Sequence, residues 1–342
     1  MGRYPLITVL NKYLAERAIV VKPSTLDHEA RKLRLIAKEL QAFADDGKIS
    51  TANPTKFTAA DIKFYSDHLT GRLEPETKRK YLQYLNGLLL YAGNPVIETM
   101  KRKGFRFPRG TRKPIRSLND EEQQAIQAAA RSMQGWKGAR AAFLTACYPA
   151  TGVRPSELRL AHIEDINTKT WRLFVRHPKG EGSWGGSRTV PVRPKYRMDI
   201  LTYLKEREAY IRANGRTRAT YLVPRCTKGQ DLYYSDVAFR KLKKEIEEIS
   251  GVEFKLKDFR PTYAQNTIDL DPNLFPDVST ALGHASLVTT QRFYAQISCD
   301  RAANRLENAW TKELCEKEPE LQCPDDKTNS IESEKWRTGY IW

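Results

Sequence analysis

The sequence predicts a protein of the mainly α, α+β class, in which an all-helical N-terminal domain precedes a mostly helical domain with a small antiparallel sheet. With 342 residues the chain is long enough for two hydrophobic cores. Apolar residues recur every three or four positions through the N-terminal part, whereas residues 171–176 alternate with the period of a strand. A basic run rich in glycine and proline separates the two patterns and indicates a domain boundary.

Helical periodicity is clearest over residues 25–47, where the apolar positions fall on one face: Leu26, Ala30, Leu33, Ala37, Leu40 and Ala44. Gly47 predicts the end of this helix. A second helix is predicted over 58–69, because Thr58 is followed three residues later by Asp61, the acidic form of a capping box. A third is predicted over 75–91, and four or five such helices favour a compact bundle.

The basic run covers residues 101–116, KRKGFRFPRGTRKPIR, with eight basic residues, no acidic one, two prolines and two glycines. This composition indicates a segment that does not pack into a core. We therefore expect a domain at 1–107, a linker at 108–116, a second domain at 117–310 and a tail at 311–342. The basic side chains are either merely solvated or neutralise the phosphates of a duplex. The second interpretation assigns four DNA-binding residues: Arg106, Arg109, Arg112 and Lys113.

The second domain is predicted to begin with a helix after Ser117, whose first turn carries acidic residues that complement the helix dipole. An apolar helix over 138–147 is expected to be central. Pro155 suits the first position of the next helix, which places Arg154 at the start of that helix. Free backbone N–H groups at such a start favour a phosphate.

Two short strands, over 171–176 and 188–192, predict a β-hairpin with Trp171, Leu173 and Val175 on one face. Its long tip contains four glycines and Lys179. Further helices are predicted over 194–214, 231–250, 272–282 and 287–297.

The composition narrows the choice of partner and compartment. A formal net charge of +17 and a pI of about 9.6 indicate a polyanionic partner, most simply nucleic acid; a well-solvated surface is the alternative. No apolar run is long enough for a membrane span, and the first residues do not form a secretory signal. The five cysteines include no Cys-x-x-Cys pair, which favours reduced thiols in the cytoplasm, and the histidines show no metal-ligand spacing.

Five side chains form a set suited to attack on a phosphodiester: Arg154, Lys257, Arg260, His284 and Tyr294. Two guanidiniums hold the non-bridging oxygens of a transition state with permanently charged, bidentate donors. An imidazole donates to the same phosphate or takes the proton of the nucleophile, and a phenol is a suitable nucleophile. Each residue also has an ordinary interpretation, as a surface ion pair with Glu157, an exposed lysine or a helix end.

Motifs in this order resemble those of the tyrosine recombinase (phage integrase) family. They are Thr151-Gly-Val-Arg154-Pro-Ser-Glu157-Leu158, the hairpin Lys179-Gly180, the box Lys257-Asp-Phe-Arg260, and Leu282-Gly-His284 followed by Thr289-Thr290 and Tyr294. The likeness covers about 117–300 and implies the fold of DNA breaking–rejoining enzymes. The N-terminal half fits the family's core-binding domain in kind only.

The resemblance implies that Tyr294 attacks the scissile phosphate and forms a 3′-phosphotyrosyl bond, freeing a 5′-hydroxyl. It also implies the roles of the other residues: Arg154 and Arg260, assisted by His284 and Lys257, stabilise the transition state, Lys179 protonates the leaving oxygen, and Glu157 orients Arg154. The covalent bond conserves energy, so no ATP, metal or other cofactor is implied.

The partners implied by the resemblance are double-stranded DNA and further copies of the chain, four protomers acting on two duplexes in synapsis. Accessory DNA-bending proteins are left open. The expected place of action is the cytoplasm, on the nucleoid of a cell or in the host of a virus.

Two departures from the family pattern leave alternatives open. Lys257 stands where histidine is commonest, and because a lysine at neutral pH only donates, base catalysis by that position is not expected. Tyr294 follows His284 by ten residues, whereas many members use nine, which would select Phe293, a residue without a hydroxyl. Tyr263 is a rival phenol that we expect in the core. The alternatives to recombination are a DNA-binding protein without the activity and a type IB topoisomerase-like relaxase.

Overall fold

The computed structural model describes residues 5–110, 115–183, 185–227, 230–284, 286, 288, 290, 303 and 306–311. The chain divides into two compact units, residues 1–113 and 114–342, and each has its own hydrophobic core. Among the described helices, none has the length and apolar character that crossing a membrane requires.

The N-terminal unit is a bundle of helices, as the periodicity predicted. Its α-helices within the described residues are α1 (Pro5–Val20), α2 (Pro23–Asp45), α3 (Ala59–Leu69), α4 (Pro75–Tyr91) and α5 (Val96–Arg102). The apolar stripe of α2 faces the core, where Leu33 and Leu40 pack with Leu85 of α4. The side chains of these three residues are almost fully buried, so the stripe drives the bundle together by removing apolar surface from water.

The predicted capping box at the start of α3 is present. Thr58 Oγ1 accepts from the Asp61 backbone N–H at 3.3 Å, and Asp61 Oδ2 accepts from the Thr58 backbone N–H at 2.8 Å. Asp61 also accepts two bonds of 2.7 Å from Ser50, through the backbone N–H and the hydroxyl. Burial raises the pKa of Asp61, but the hydrogen bonds from Ser50 and Thr58 outweigh it and hold the pKa below its ordinary value.

Replacing Asp61 by Ala is therefore expected to lower the free energy of unfolding by about 2 kcal/mol, because it removes a helix cap and the partly buried hydrogen bonds that Ser50 and Thr58 donate to a charged group. Urea denaturation followed by circular dichroism measures the change. Asp67→Ala is the matched control, since Asp67 lies exposed on the same helix and is expected to change stability by less than about 0.5 kcal/mol. Equal losses in the two variants would contradict the role of the cap.

The basic run is less detached from the bundle than its composition predicted. Lys101 belongs to α5, and Phe105 and Phe107 are partly buried against the N-terminal core. The Phe107 ring lies 4.4 Å from Lys101 Nζ and 6.0 Å from the Phe105 ring, edge to face. The prediction that this stretch does not pack into a core was wrong for Phe105 and Phe107. Their rings bury apolar area against the N-terminal core, although the stretch as a whole is basic.

The second unit is built around one buried helix. Its α-helices within the described residues are α6 (Asp120–Ser132), α7 (Gly135–Thr151), α8 (Pro155–Arg159), α9 (Arg197–Ala213), α10 (Asp236–Ser250), α11 (Phe259–Leu270) and α12 (Phe275–Leu282). Every side chain from Phe143 to Thr151 in α7 is buried, which confirms the predicted central helix and extends it past Cys147. The rings of Phe143 and Tyr203 of α9 stack with centroids 4.0 Å apart.

The predicted hairpin is present within a three-stranded antiparallel sheet of order β1-β2-β3. The strands are β1 (Ile166–Asn167), β2 (Arg172–Val175) and β3 (Arg188–Pro191). Leu173 is opposite Val190 and Val175 is opposite Arg188. Leu173 and Val175 are buried as expected, but Trp171 lies in the turn before β2 with φ of +53° rather than in the strand.

A second hairpin was missed. Strands β4 (Pro224–Thr227) and β5 (Gln230–Tyr233) pair where the sequence predicted the start of a helix at Asp231. The helix α10 begins only at Asp236, because the Ser235 hydroxyl caps it by accepting from the Ala238 N–H at 3.3 Å. Residues 230–233 form a strand because they pair with β4, and their own sequence pattern does not predict one.

Candidate active site

The position of Arg154 follows from the way α7 ends. Gly152 closes α7 in the left-handed conformation with φ of +66°, and a Cβ at that position would lie 2.5 Å from the Tyr263 ring. Only glycine suits both the conformation and the space. Pro155 then begins α8, so Arg154 precedes the first helical residue as predicted. Because α8 has five residues, the charge at this place is carried by the guanidinium rather than by a helix dipole.

Glu157 is the buried carboxylate on which the arginines converge, with 1% of its side chain exposed. It accepts from the Arg154 backbone N–H at 2.9 Å and from Arg154 Nη1 at 2.7 Å. It also accepts from Arg188 Nη2 at 2.8 Å and Nη1 at 3.3 Å. Burial raises the pKa of Glu157, but the bonds and charges of Arg188 and Arg154 outweigh it and lower the pKa below its ordinary value. Glu157 is therefore ionised at neutral pH.

Arg188 was missed by the sequence analysis. It begins β3 directly after the tip of the hairpin, and 10% of its side chain is exposed. An arginine opposite a buried valine in a strand needs a carboxylate nearby, because an unpaired buried charge is costly. That local signal was present in the sequence, but it did not identify Glu157, 31 residues away, as the partner.

Arg260 joins three separate stretches of chain. It lies in the first turn of α11, with 9% of the residue exposed, and donates from Nη1 to the Gly152 carbonyl at 2.9 Å and from Nη2 to the Leu282 carbonyl. Burial and the nearby charges of Arg154 and Arg188, opposed by Glu157, lower the pKa of Arg260 to about 9. The guanidinium is thus still protonated at neutral pH, in a place that already contains two other cations.

His284 follows the end of α12. Gly283 closes that helix with φ of +63°, and the His284 backbone N–H donates to the Ser279 carbonyl at 3.1 Å. The imidazole Nδ1 lies 2.7 Å from Thr290 Oγ1, which donates to Ser279 Oγ at 2.9 Å. A neutral imidazole carries a hydrogen on one ring nitrogen and a lone pair on the other. Such a ring is able to accept a proton.

The charge state of His284 is set by its surroundings. Burial first, and then the charges of Arg260, Arg154 and Arg188, lower the pKa of His284 to about 4. We expect its NMR titration midpoint near pH 4, well below the 6.5 of an ordinary histidine. The unfolded chain binds this proton at higher pH than the folded chain, so stability falls as pH drops from about 6.5 to 4. A midpoint near 6.5 would contradict the proximity of the three arginines.

The other predicted residues lie apart from this cluster or outside the described residues. Lys179 is exposed in the turn that follows β2, and Lys257 is exposed in the single 3₁₀ turn Leu256–Asp258 before Arg260. In the described part of the chain, neither lysine forms a hydrogen bond or ion pair with the clustered residues. Tyr294 lies outside the described residues. Tyr263 is buried, as expected for a core phenol, and burial raises its pKa.

The predicted DNA-binding residues belong to the N-terminal unit. Arg106 and Arg109 are exposed and line a groove of about 1630 Å³ together with Arg79, Lys101 and Phe107. The other two, Arg112 and Lys113, lie outside the described residues. Glu74 and Glu76 line the same groove, so its charge is mixed, with the basic side chains in excess and suited to contact with phosphates.

Comparison with known proteins finds one matching family and two similar proteins. A model described as the phage integrase family matches residues 116–300. The tyrosine recombinase XerA of Pyrococcus furiosus is 28% identical over 161 residues, 46% of this chain, so the chain spans about half, 51%, of that relative. The XerA of Pyrococcus horikoshii is 26% identical over 306 residues, 86% of this chain and 97% of the relative.

Solved structures show the fold. XerH site-specific recombinase bound to difH substrate, in a pre-cleavage complex, has a TM-score of 0.60 at 17% identity, covering 90% of this chain and 97% of that one. A Tn1549 transposon integrase in complex with a circular intermediate DNA has a TM-score of 0.61 at 14% identity, covering 89% and 99%. A lambda integrase dimer bound to a COC′ core site has a TM-score of 0.60 at 15% identity, covering 84% and 76%. The chain therefore has the fold of these proteins.

Proposed function

The chain belongs to the phage integrase family, and from that membership we propose that it is a site-specific recombinase that cleaves and rejoins double-stranded DNA through a 3′-phosphotyrosyl intermediate. One observation supports the proposal most strongly. Arg154 lies more than a hundred residues before Arg260 and His284 in the sequence, yet the charges of both arginines act on His284, and Arg154 binds the buried Glu157 carboxylate. Arg154 and Arg188 bind that carboxylate, and Arg260 is near enough for the charges of all three residues to act on it, so the cluster has an excess of positive charge for a phosphate.

In the proposed step, the Arg154 and Arg260 guanidiniums hold the non-bridging oxygens of the scissile phosphate. The Tyr294 oxygen attacks phosphorus, its proton passes to the neutral imidazole of His284, and the bond to the 5′ oxygen breaks. Lys179 gives a proton to the departing 5′ oxygen, and Lys257 adds a further cation. The hairpin turn and the 3₁₀ turn leave both lysines exposed, which suits groups that engage when DNA is bound.

Rejoining is the reverse of this step, with a 5′-hydroxyl from another strand attacking the phosphotyrosyl bond. The phosphodiester energy is kept in the covalent intermediate, which is why we propose a reaction that consumes no ATP and depends on no metal. The proposed partners are double-stranded DNA and further copies of this chain. The similar XerH, Tn1549 and lambda proteins are described in complexes with DNA, the lambda integrase as a dimer, and the net charge of +17 suits the same polyanion.

The test begins with selection of a preferred duplex from a random pool by the wild-type protein. Duplexes of the selected sequence are then nicked near each candidate phosphate, so that the freed 5′ end diffuses away and cleavage becomes irreversible. We expect a denaturant-stable protein–DNA adduct, with the phosphate mapped to Tyr294 by mass spectrometry. Tight binding without an adduct at any nick position would instead favour a DNA-binding member of the fold without the activity, the outcome that Lys257 motivates.

A further assay separates recombination from topoisomerase-like relaxation. We expect a supercoiled plasmid without the selected sequence to stay supercoiled, and a plasmid carrying two copies to give recombinant circles. Relaxation of the plasmid without the sequence, at comparable rate, would identify the relaxase instead.

A further inference from the structure

We propose that Arg188 is a positioning residue that holds Arg154 and the segment leading to His284 in register with each other, acting through Glu157 and the backbone of α12. The expected effect of Arg188 on the cleavage rate rests on the proposed function. Its effect on the position of the backbone before His284 rests on the contacts of Arg188 alone. Neither the family motifs considered above nor the phosphodiester chemistry assigned a role to this residue.

Arg188 contacts both halves of the cluster at once. Its Nη1 and Nη2 donate to the two oxygens of Glu157, at 3.3 and 2.8 Å, and that carboxylate holds the backbone and side chain of Arg154. Its Nε donates at 2.6 Å to the carbonyl of Ala281, three residues before His284. A single planar group therefore connects the start of α8 to the last turn of α12.

The backbone of Gly283 shows how closely Arg188 packs on this segment. A Cβ at Gly283 would lie 2.9 Å from Arg188 Nη1 and 3.1 Å from its Cζ and Nε. The residue next to His284 is thus covered by the guanidinium face as well as held in a left-handed conformation. A shift of Arg188 would therefore remove a close packing contact from the backbone of Gly283, the residue before His284.

The use of its donors distinguishes Arg188 from a phosphate ligand. Each of its three nitrogens already donates to Glu157 or Ala281, and half as much of its side chain is exposed, 10%, as of Arg154, 20%. In the described part of the chain, Arg154 donates to Glu157 from one guanidinium nitrogen, Nη1. Of the five N–H groups of a guanidinium, these bonds use three in Arg188 and one in Arg154, so Arg154 keeps more donors, on a more exposed side chain, for a ligand.

Charge balance gives Arg188 a second effect. With Arg188 present, the single negative charge of Glu157 is shared between two guanidiniums, so Arg154 keeps part of its attraction for a phosphate. Without Arg188, Glu157 pairs with Arg154 alone and neutralises it more fully in a buried environment, where such pairing is strong. Loss of Arg188 would thus displace the His284 segment and weaken Arg154 together.

The kinetic test uses Arg188→Gln and Arg188→Lys on the selected nicked duplex, with protein in excess so that binding and cleavage rate are measured separately. We expect Arg188→Gln to cleave roughly 100-fold more slowly with the dissociation constant changed less than about threefold, since small misplacements of catalytic groups cost about that much. Arg188→Lys, which keeps the charge but cannot reach Glu157 and Ala281 together, should recover part of the rate.

Arg176→Gln is the matched control. Arg176 follows β2, directly beside the Val175–Arg188 pair, and binds the fully buried Asp165 at 2.7 Å. Its loss should lower the melting temperature about as much as Arg188→Gln and leave the cleavage rate within about twofold. Equal cleavage rates in Arg188→Gln and Arg176→Gln would reduce Arg188 to a stabilising residue and overturn the proposal.

Hydrogen exchange supplies a readout that does not depend on activity. The Gly283 and His284 backbone N–H groups donate to the Thr280 and Ser279 carbonyls, at 2.8 and 3.1 Å, and should exchange at least about tenfold faster in Arg188→Gln but not in Arg176→Gln. Unchanged exchange at both amides would overturn the proposal even in an active protein. If the wild type forms no adduct, the proposed function fails, and this exchange experiment still decides whether Arg188 positions the segment.

Discussion

Replacing Tyr294 by Phe is expected to abolish the covalent adduct on a nicked duplex, a loss of roughly 10⁴-fold or more, because the phenol oxygen is the proposed nucleophile. Binding of the intact duplex should change less than about twofold, since the hydroxyl is not needed to attract DNA. The adduct is measured by denaturing electrophoresis, and binding by fluorescence anisotropy.

Tyr263→Phe is the control for a general effect of losing a phenol. Tyr263 is buried against Gly152, and the Phe ring keeps that contact, so adduct formation should stay within about twofold of wild type. An adduct that persists in Tyr294→Phe and disappears in Tyr263→Phe would reverse the assignment of the nucleophile.

Replacing Arg260 by Gln is expected to slow cleavage by roughly 10³-fold, because one preorganised donor to the developing charge is lost from a site of low dielectric. A fall in stability should accompany it, since the Gly152 and Leu282 carbonyls lose a charged donor. Single-turnover cleavage of the nicked duplex and thermal melting measure the two effects in the same preparation.

The control for Arg260 is a second buried arginine that also donates to backbone carbonyls. Arg207, 4% exposed, donates to the carbonyls of Ala219 at 2.7 Å, Tyr221 at 2.6 Å and Leu222 at 3.0 Å. Arg207→Gln should therefore lower the melting temperature at least as much as Arg260→Gln, with the cleavage rate per folded molecule unchanged. If the two variants lose cleavage in proportion to their loss of stability, Arg260 is a structural residue only.

Local sequence patterns predicted those features that neighbouring residues determine. The Thr58–Asp61 capping box, the β2–β3 hairpin and the placement of Arg154 before Pro155 each depend on residues a few positions apart. Such interactions have the same geometry in most proteins, so residue type and spacing are enough to identify them.

The features that were missed depend on distant pairings. Arg188 binds Ala281 across 93 residues, and Arg260 binds Gly152 across 108. The β4–β5 hairpin and the packing of Phe105 depend on which other segments are nearby in space. Motif order indicated that Arg154, Arg260 and His284 should meet, but the buried carboxylate and second arginine that hold them required the folded chain.

The surplus of guanidinium charge around Glu157 has a consequence for the protein when no DNA is bound. If the cluster holds the scissile phosphate as proposed, it does not distinguish the phosphate of a nucleic acid from a small inorganic oxyanion. Sulfate and vanadate should therefore occupy it and inhibit competitively, more strongly than chloride at equal ionic strength. Oxyanions in the buffer would then bind this protein as specific ligands, in addition to screening its charges.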